Sequence, residues 1–521
     1  MLRLQPASLD WALQHALNYG DTDLFPHAFE FRAIEHDWAR VRATLEAVDL
    51  DTWQVRPHRQ CLAPKGRYAF RVTTQLDPLD FLLYTAAVYE IGPQLEAARV
   101  SPAREVVFSY RFSPEADGKM YADDIGYPEF TGKTRLLVDD PAVTHVAVTD
   151  IADFYPRVYH HPLENALGAA TNAADHVRCI QKLLSGWSAY VSHGLPVGNA
   201  ASRLLAEIDI ADIDEALLAS GVNFVRFNDD YRIFTGSATE AYRHLASLAS
   251  QLYEVHGLTL QPKKTLVLPV EEFKRRYLRE PEEREVDALR QRFRELLNDI
   301  GVQDEYATLD YGDLEDEQKA LIDELNLRAI FEAEAAEDEP DLGLLRFVLR
   351  RAGQLGSAEL VESILGHIES IHLVSPDIVG YLSQLRHLTH GQKAALGSRW
   401  LDLLEDSVLT ELEYHRTWAL NVFSSGRDWN NEARLVPLLG ILPDTFSRRE
   451  ILLALGRAHA SHWFYANRRN LFNESPWVRR AFLAGASCMP PDQRRHWYRS
   501  IEARLDPLDS AVVRWARDNP F

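Results

Sequence analysis

The sequence predicts an α+β domain followed by an all-α helical repeat domain. Up to about Pro269, helical stretches alternate with β-rich runs such as "THVAVTD" and "NFVRFNDDYRIFTG". After Pro269 the strand signals nearly vanish, and from Leu342 amphipathic segments of about 10–16 residues follow one another across short breaks. We therefore predict an α+β domain over residues 1–275, an acidic, partly helical connector over 276–341 and helical repeats over 342–521.

Composition limits the protein classes that this chain can belong to. The 521 residues are 46% hydrophobic and 26% charged, which is typical of a globular protein, and no window resembles a signal peptide or a membrane span. We expect a cytoplasmic protein. Three widely separated cysteines predict neither a disulfide framework nor a cysteine-rich zinc site, and core packing is their expected role.

The net charge of −21 argues against a protein that coats nucleic acid over its whole surface. The stretch from Asp304 to Asp341 holds fifteen acids against Lys319 and Arg328, so most of the excess is local. By contrast, the stretch from Thr52 to Gln75 contains five basic residues and no acid. It is a candidate phosphate-facing surface, although a solvated basic loop would have the same composition.

Two acidic motifs carry the chemistry. In "NFVRFNDDYRIF", strand-like residues flank Asp229 and Asp230, which predicts a hairpin with the acids at its tip. In "HVAVTDIADFYP", a β-branched strand delivers Asp150 at its end. If the strand and the hairpin lie side by side, the three carboxylates converge on hard divalent cations. A polar turn without a metal remains the alternative for the hairpin alone.

Further motifs follow in a fixed order. "HGLPVGNAAS" is a Gly-Pro-Gly loop that leads into a predicted helix with apolar positions from Leu204 to Leu217. "LTLQPKKT" places Lys263 and Lys264 beside a β-rich run. Each motif alone is weak evidence. The order of strand acid, glycine loop, di-acid hairpin and lysine is much more specific than any one of them.

In this order and spacing the chain resembles the reverse transcriptases over roughly residues 60–270. "DIADFYP" looks like their first palm motif, "GLPVGNAAS" like the second, "FNDD" like the Y-x-D-D box and "LTLQPKKT" like the lysine motif. The resemblance implies a right-hand polymerase fingers and palm domain with an antiparallel sheet. It departs at Phe227, which replaces the tyrosine of the box, and at Val197, where retroviral enzymes have glutamine.

The resemblance also implies roles for individual residues. Two divalent ions, Mg²⁺ with Mn²⁺ as an alternative, would be held by Asp150 and Asp229, with Asp230 assisting. Lys264 would lie near the leaving pyrophosphate, and Tyr155 would screen against a ribose 2′-hydroxyl, although a core aromatic is the alternative for Tyr155. Residues expected to bind the nucleotide are Lys65, Arg67, Arg71, Asp153 and Gly198, together with Tyr155.

Phrases such as "GDTDLFPHAFEF" and "FSYRFSP" look closer to bacterial reverse transcriptases of the abortive-infection and antiphage-defence group than to retroviral, intron or retron enzymes. In that group the palm is followed by a HEAT-like helical repeat domain. This implies a homo-oligomeric antiphage DNA polymerase that binds dNTPs and nucleic acid. Synthesis either copies an associated RNA or is protein-primed without a template, with Tyr19 as one candidate primer. The rival hypothesis is a catalytically inactive RNA-binding scaffold that acts through its helical repeats.

Overall fold

The computed structural model describes residues 1–20, 24–188, 191–278, 319, 326–426, 429, 431–442 and 444–521. The chain forms two compact units. The first unit consists of Met1–Thr22, Trp38–Gln60 and Val72–Arg279. The second consists of Asp23–Asp37, Cys61–Arg71 and Glu280–Phe521. Two short segments from the N-terminal part of the chain therefore group with the C-terminal residues.

The helices before the acidic stretch have the following bounds: α1 (Pro6–Asn18), α2 (Glu30–His36), α3 (Trp38–Ala47), α4 (Pro78–Ala97), α5 (Tyr127–Val138), α6 (Phe154–Arg157), α7 (His160–Ala170), α8 (Ala174–Ser188), α9 (Ala200–Asp209), α10 (Ala211–Ala219), α11 (Ala238–Gln251) and α12 (Val270–Tyr277). Of these, α2 belongs to the second unit. The sequence predicted one helix after the glycine loop, but the structure has two, because Ile210 leaves helical geometry between α9 and α10.

The strands are β1 (Arg59–Gly66), β2 (Ala69–Gln75), β3 (His145–Asp150), β4 (Phe224–Phe227), β5 (Asp230–Thr235) and β6 (Leu266–Pro269). Strands β1 and β2 form a two-stranded sheet, and the others form a four-stranded sheet in the order β4-β5-β3-β6. All three pairings in the larger sheet are antiparallel. The predicted α+β fold with an antiparallel sheet is confirmed.

One face of the four-stranded sheet is covered by α5 and α12. Val146 and Val148 of β3 share a buried core with Phe130 of α5 and Phe273 of α12. These β-branched residues favour strand geometry and fill the space between sheet and helices. Because the sheet is held on this face, the ends of its strands are fixed relative to one another.

The described part of the second unit is helical beyond residue 326, with α-helices at Leu327–Ala335, Leu342–Gln354, Val361–Ile371, Ser375–Ser383, His390–Asp402, Glu413–Ser425, Glu432–Ile441, Thr445–Arg457, Ser461–Asn467, Pro476–Gly485, Pro491–Ile501 and Pro507–Asp518. Local capping explains several of the starts. Thr389 and Gln392 form a capping box, and the Asp444 side chain accepts a hydrogen bond from the Ser447 amide. The predicted all-α C-terminal region is confirmed.

A buried ion cluster explains why Asp23–Asp37 groups with the second unit. Glu30 of α2 is fully buried and accepts hydrogen bonds from Arg449 at 2.7 Å and Arg480 at 3.2 Å. The two guanidinium groups hold the pKa of the Glu30 carboxyl below its usual value despite burial. Arg480 and Trp477, both in the helix Pro476–Gly485, are buried as well.

The acidic stretch of residues 304–341 lies largely outside the described residues. Within it the structure has the helix Leu327–Ala335, in residues whose composition favours helix. The predicted boundaries at residues 275 and 341 stay a prediction. All three cysteines are free, and Cys179 is buried in α8. In the described part of the chain, no helix has the length and apolarity needed to span a membrane.

Candidate active site

The di-acid motif forms a hairpin with a two-residue tip. Phe227 at the end of β4 pairs with Asp230 at the start of β5, so Asn228 and Asp229 make the turn. Asn228 adopts a φ of +56°, a left-handed conformation that asparagine tolerates better than most residues. The local prediction was a hairpin with both acids at the tip. The structure refines it, because only Asp229 lies in the turn and Asp230 opens the strand.

The register of the sheet brings the third acid beside this turn. Asp150 at the end of β3 pairs with Asp230 across the antiparallel ladder. The amide of Ile151, the next residue, donates a 3.1 Å hydrogen bond to the carbonyl oxygen of Asp229. Residues opposite each other in such a ladder have closely spaced β-carbons. The structure therefore brings Asp150, Asp229 and Asp230 together at one edge of the sheet, as the sequence predicted.

The three carboxylates repel one another electrostatically. The pKa of Asp229 is raised to about 6 by burial first and then by the charges of Asp150 and Asp230. Asp150 is itself buried, at 5% exposure. A fold gathers like charges in a partly buried place at a cost in stability, which a bound cation offsets.

Lys264 neutralises part of this charge. Its ammonium group forms an ion pair with Oδ2 of Asp150, while about half of the lysine side chain stays exposed. The amide of Gln261, in the same loop, donates a 2.7 Å hydrogen bond to the carbonyl oxygen of Asp150. The three acids raise the pKa of Lys264, so the ammonium is protonated at neutral pH. The lysine motif and the strand acid thus meet in the structure, and the position of Lys264 near a leaving pyrophosphate stays a prediction.

Tyr155 is connected to the acidic turn through Asn228. Its hydroxyl donates a 3.1 Å hydrogen bond to Oδ1 of Asn228, and Nδ2 of Asn228 donates a 2.8 Å hydrogen bond to Oδ1 of Asp229. Burial raises the pKa of Tyr155 well above its ordinary value, so the phenol stays protonated. The structure places Tyr155 beside the acidic turn, and its role in excluding a 2′-hydroxyl stays a prediction.

The glycine loop and the first motif each contain a residue with a positive φ, and the two segments are hydrogen-bonded to each other. Gly198 has a φ of +121°, a conformation that residues with a β-carbon rarely adopt, and Asn199 next to it caps α9. Asp153 has a φ of +47° at the start of α6, and its side chain is exposed. The amide of Leu195 donates a 2.9 Å hydrogen bond to the carbonyl oxygen of Tyr155, so the loop and the first motif are joined.

The remaining predicted residues are three cations and the candidate primer. Lys65, Arg67 and Arg71 are exposed and belong to the second unit. The Arg67 guanidinium donates a 2.7 Å hydrogen bond to the carbonyl oxygen of Asp338 in that unit. Tyr19 directly follows α1 and donates a 2.6 Å hydrogen bond to Asp117. Their assignment to nucleotide binding and priming stays a prediction.

Sequence analysis missed the buried network that holds the hairpin. Arg226, in β4, is fully buried and donates hydrogen bonds to Asp214 at 2.9 Å and Glu207 at 2.9 Å. Its Nη1 also donates a 2.7 Å hydrogen bond to the carbonyl oxygen of Asn228. Arg99 donates to Glu207 from the other side at 2.6 Å. An arginine at an inward position of an otherwise apolar strand was the only signal of this network in the sequence.

Tyr110 is a second residue that sequence reasoning did not single out. It has a φ of +46°, and its ring lies 6.0 Å from that of Phe227. The Arg203 guanidinium stacks over it at 5.2 Å. The pKa of Tyr110 is raised by burial and, more weakly, by Glu207 and Asp229, and its hydroxyl shares a hydrogen bond with Tyr155. Tyr110 therefore supports the ring of Phe227 beside the acidic turn.

The donor set fits divalent cations chemically, because three carboxylates supply only oxygen ligands. No ready-made group of three metal-ligating side chains occurs among the described residues. The side-chain contacts explain this, since Lys264 engages Asp150 and Asn228 engages Asp229. One oxygen of each of these two carboxylates is therefore already engaged.

Comparison with known families identifies this region. Residues 104–283 match the family model of the reverse transcriptase (RNA-dependent DNA polymerase). The match contains β3, the glycine loop, the hairpin and Lys264. This part of the chain is similar to a reverse transcriptase domain, which supports the predicted class of RNA-directed DNA polymerase-like nucleotidyltransferase. Domains of this kind generally use divalent metal ions.

Two solved structures are distantly similar to this chain. Telomerase from Candida albicans in complex with a TWJ fragment of telomeric RNA is similar at 14% identity and a TM-score of 0.30, covering 78% of this chain and 70% of that one. Apo telomerase from Candida tropicalis is similar at 10% identity and a TM-score of 0.31, covering 86% and 73%. No curated protein matches the chain significantly.

Proposed function

We propose that the protein is a metal-dependent DNA polymerase that adds deoxynucleotides to a 3′-hydroxyl. The observation that carries the proposal is the pairing of Asp150 with Asp230 across the sheet, with Asp229 in the adjoining turn. A fold without catalytic function has no need to gather three carboxylates and a lysine there. This favours the polymerase over the inactive RNA-binding scaffold.

Asp150 and Asp229 are the proposed ligands of two Mg²⁺ ions, with Asp230 assisting. When bound, such ions lower the barrier to attack of the primer hydroxyl on the α-phosphate and stabilise the leaving pyrophosphate. Asp229 is ionised at neutral pH even with its pKa raised to about 6. It therefore supplies a charged oxygen at the pH at which polymerases work.

The other residues orient the substrate and handle charge. Lys264 holds a proton on its ammonium beside Asp150, where it supplies positive charge to a departing phosphate. Tyr155 has its hydroxyl held by Asn228, which fixes the ring beside the turn, where it would exclude a ribose 2′-hydroxyl. The proposal also assigns binding of the nucleotide to Asp153, Gly198, Lys65, Arg67 and Arg71.

The test is incorporation of labelled dNTP with Mg²⁺ by the full chain. Replacing both Asp229 and Asp230 with asparagine should reduce incorporation at least about 1000-fold, since the lost charge stabilisation is several kcal/mol. Asp139→Asn is the matched control, because Asp139 is an exposed acid of the same unit that pairs with Lys274. Equal incorporation by the double variant and the control would refute the catalytic proposal and leave the scaffold.

The biological role proposed is antiphage defence from the cytoplasm as a homo-oligomer. It is supported by the quoted phrases that resemble the abortive-infection group and by the helical region that follows the residues matching the reverse transcriptase model. The direct test is phage plating on cells that express the chain or its Asp229→Asn, Asp230→Asn variant. Equal plating efficiency on both would contradict a role that depends on polymerisation.

Two modes of synthesis fit the proposed enzyme, and the product distinguishes them. Synthesis on an associated RNA predicts one defined RNA species that co-purifies with the protein. Protein-primed synthesis predicts a nucleotide covalently attached to a tyrosine, with Tyr19 as one candidate. Sequencing of the co-purified nucleic acid and mass spectrometry of tyrosine-containing peptides separate the two.

A further inference from the structure

The last two helices of the second unit enclose a small cleft lined by arginine. Helix Pro491–Ile501 contributes Arg495 and Arg499, and helix Pro507–Asp518 contributes Arg514 and Arg517. The residues of each pair are four and three positions apart, so each pair lies on one face of its helix. Four guanidinium groups therefore border a single cleft.

The four arginines differ in how far their charge is already neutralised. Arg514 forms a 2.7 Å hydrogen bond with Asp37, and Arg517 lies 3.4 Å from Asp518. Arg495 and Arg499 are both exposed, and neither forms an ion pair with any residue that the structure describes. Glu502 also lines the cleft and is acidic. Arg495 and Arg499 are thus the two cations with the most free binding capacity.

The size of the cleft restricts what it can hold. Its volume is about 110 Å³, whereas pockets for drug-sized ligands span roughly 300–1,000 Å³. A phosphate group fits, but a whole nucleotide does not. The hydroxyl of Ser510 also lines the cleft and adds a neutral hydrogen-bond donor. Guanidinium forks match phosphate oxygens in geometry and charge.

We propose that the Arg495–Arg499 cleft binds a backbone phosphate of a single-stranded nucleic acid. The cleft is open, so the sugar and base attached to the phosphate can remain outside it. In a chain of net charge −21, such a local group of cations is the feature expected where a polyanion binds. The proposed site uses none of the three acidic residues Asp150, Asp229 and Asp230, and it does not depend on catalysis.

The test measures the binding of a fluorescent 20-nucleotide oligothymidylate to the full chain by anisotropy. The Arg495→Ala, Arg499→Ala double variant should bind at least about 10-fold more weakly. Its salt dependence should also be shallower by about 0.7 in log–log slope, since one phosphate contact on a single strand contributes about 0.7. Arg386→Ala with Arg469→Ala is the matched control, because both are exposed arginines of the same unit.

A second variant and a mapping step distinguish recognition of a phosphate in the cleft from a general effect of charge. Arg495→Lys with Arg499→Lys should keep most of the salt slope while weakening binding, because lysine keeps the charge but loses the fork. A 4-thiothymidine oligonucleotide should crosslink to peptides from residues 491–518. The Asp229→Asn, Asp230→Asn variant should crosslink there as well, which separates this proposal from the polymerase proposal.

Three outcomes would overturn the proposal. The first is equal oligonucleotide binding by the cleft variant and the control variant. The second is the absence of crosslinked peptides from residues 491–518 when the oligonucleotide is bound. The third is binding of inorganic phosphate or pyrophosphate that depends on the arginines while oligonucleotide binding does not, which would assign the cleft to a free anion.

Discussion

The hydroxyl of Tyr155 is hydrogen-bonded to the side chain of Asn228 at 3.1 Å, and the same asparagine donates to Asp229 at 2.8 Å. One side chain therefore connects the tyrosine of the first motif to the carboxylate in the hairpin turn. Asn228 occupies the variable position of the Y-x-D-D box, for which the sequence predicted no role. In the structure Asn228 has a positioning role, because its side chain holds Tyr155 and Asp229, on which the proposed polymerase depends.

Substitution of Asn228 should separate this positioning role of the side chain from the role of the residue in the turn. Asn228→Gly keeps the left-handed backbone and removes both hydrogen bonds, so we expect wild-type stability with dNTP incorporation reduced about 10-fold, equal to about 1.4 kcal/mol in the barrier. Asn228→Ala should lose activity to the same extent and also about 1 kcal/mol of stability from the positive φ. Steady-state kinetics and urea unfolding measure the two effects, and full activity in Asn228→Gly would contradict the connection.

Removing one carboxylate should stabilise the cluster when divalent ions are chelated. The folded-state pKa of Asp229 lies near 6, above its ordinary value of 3.8, so its ionisation lowers the stability of the fold as pH rises from about 4 to about 6. In EDTA at pH 7.5, Asp229→Asn should raise the free energy of unfolding by about 1–2 kcal/mol. At pH 4 the difference should shrink. If Asp229→Asn is instead less stable than the wild type at pH 7.5, the repulsion among the three carboxylates is already offset in the wild type.

Adding Mg²⁺ should reverse the order of stability of the wild type and Asp229→Asn. Wild-type protein should gain thermal stability with increasing Mg²⁺, because an ion that binds the folded state preferentially stabilises it. Asp229→Asn should gain much less, while the Asp139→Asn control should respond as the wild type does. The measurement is the melting temperature against Mg²⁺ concentration. Identical responses of all three proteins would place the ion elsewhere.

The buried arginine of β4 should be essential to the hairpin. Arg226→Ala leaves Glu207 and Asp214 buried without their main cation and frees the Asn228 carbonyl oxygen. Removal of one partner from a buried ion cluster costs about 3–5 kcal/mol, which urea unfolding would detect. Arg243→Ala, on α11, is the control, as it removes an exposed arginine of the same unit. A loss below about 1 kcal/mol would show that the cluster relaxes.

His256 should make the stability of the first unit depend on alkaline pH. It lies 3.0 Å from Asp212 and 3.5 Å from Asp209, which raise its pKa to about 9 despite burial. Because the folded-state pKa lies above the unfolded value of 6.5, the stabilisation is complete below pH 6.5 and is lost as pH rises through 9. It amounts to at most about 3 kcal/mol, since burial raises the pKa of Asp209 and opposes it.

Unfolding by urea at several pH values between about 6 and 9.5 would measure this loss. In His256→Asn the slope over the same range should be much smaller, because the titrating group is absent. A wild-type curve as flat as that of the variant would mean that His256 is not held as an imidazolium.

The core of the active-site prediction came from residues whose local pattern was strong. A β-branched strand ending in Asp150 and a hairpin signal around Asp229 predicted elements that the sheet then paired in register. The division of the chain into two units could not be predicted from local patterns in this way. Asp23–Asp37 and Cys61–Arg71 group with the helical unit through contacts such as those of Glu30 with Arg449 and Arg480. Partners so far apart along the chain leave no local pattern.

By itself, the sequence determined the α+β and all-α regions and the order of the acidic, glycine and lysine motifs, because hydrophobic periodicity and turn chemistry act over a few residues. Only the tertiary structure decided that Asn228 connects Tyr155 to Asp229, that Arg226 holds the turn and that Arg495 and Arg499 border a cleft. These relationships depend on side-chain directions and distances between elements. Such quantities are fixed by packing, which brings together residues that the chain keeps apart.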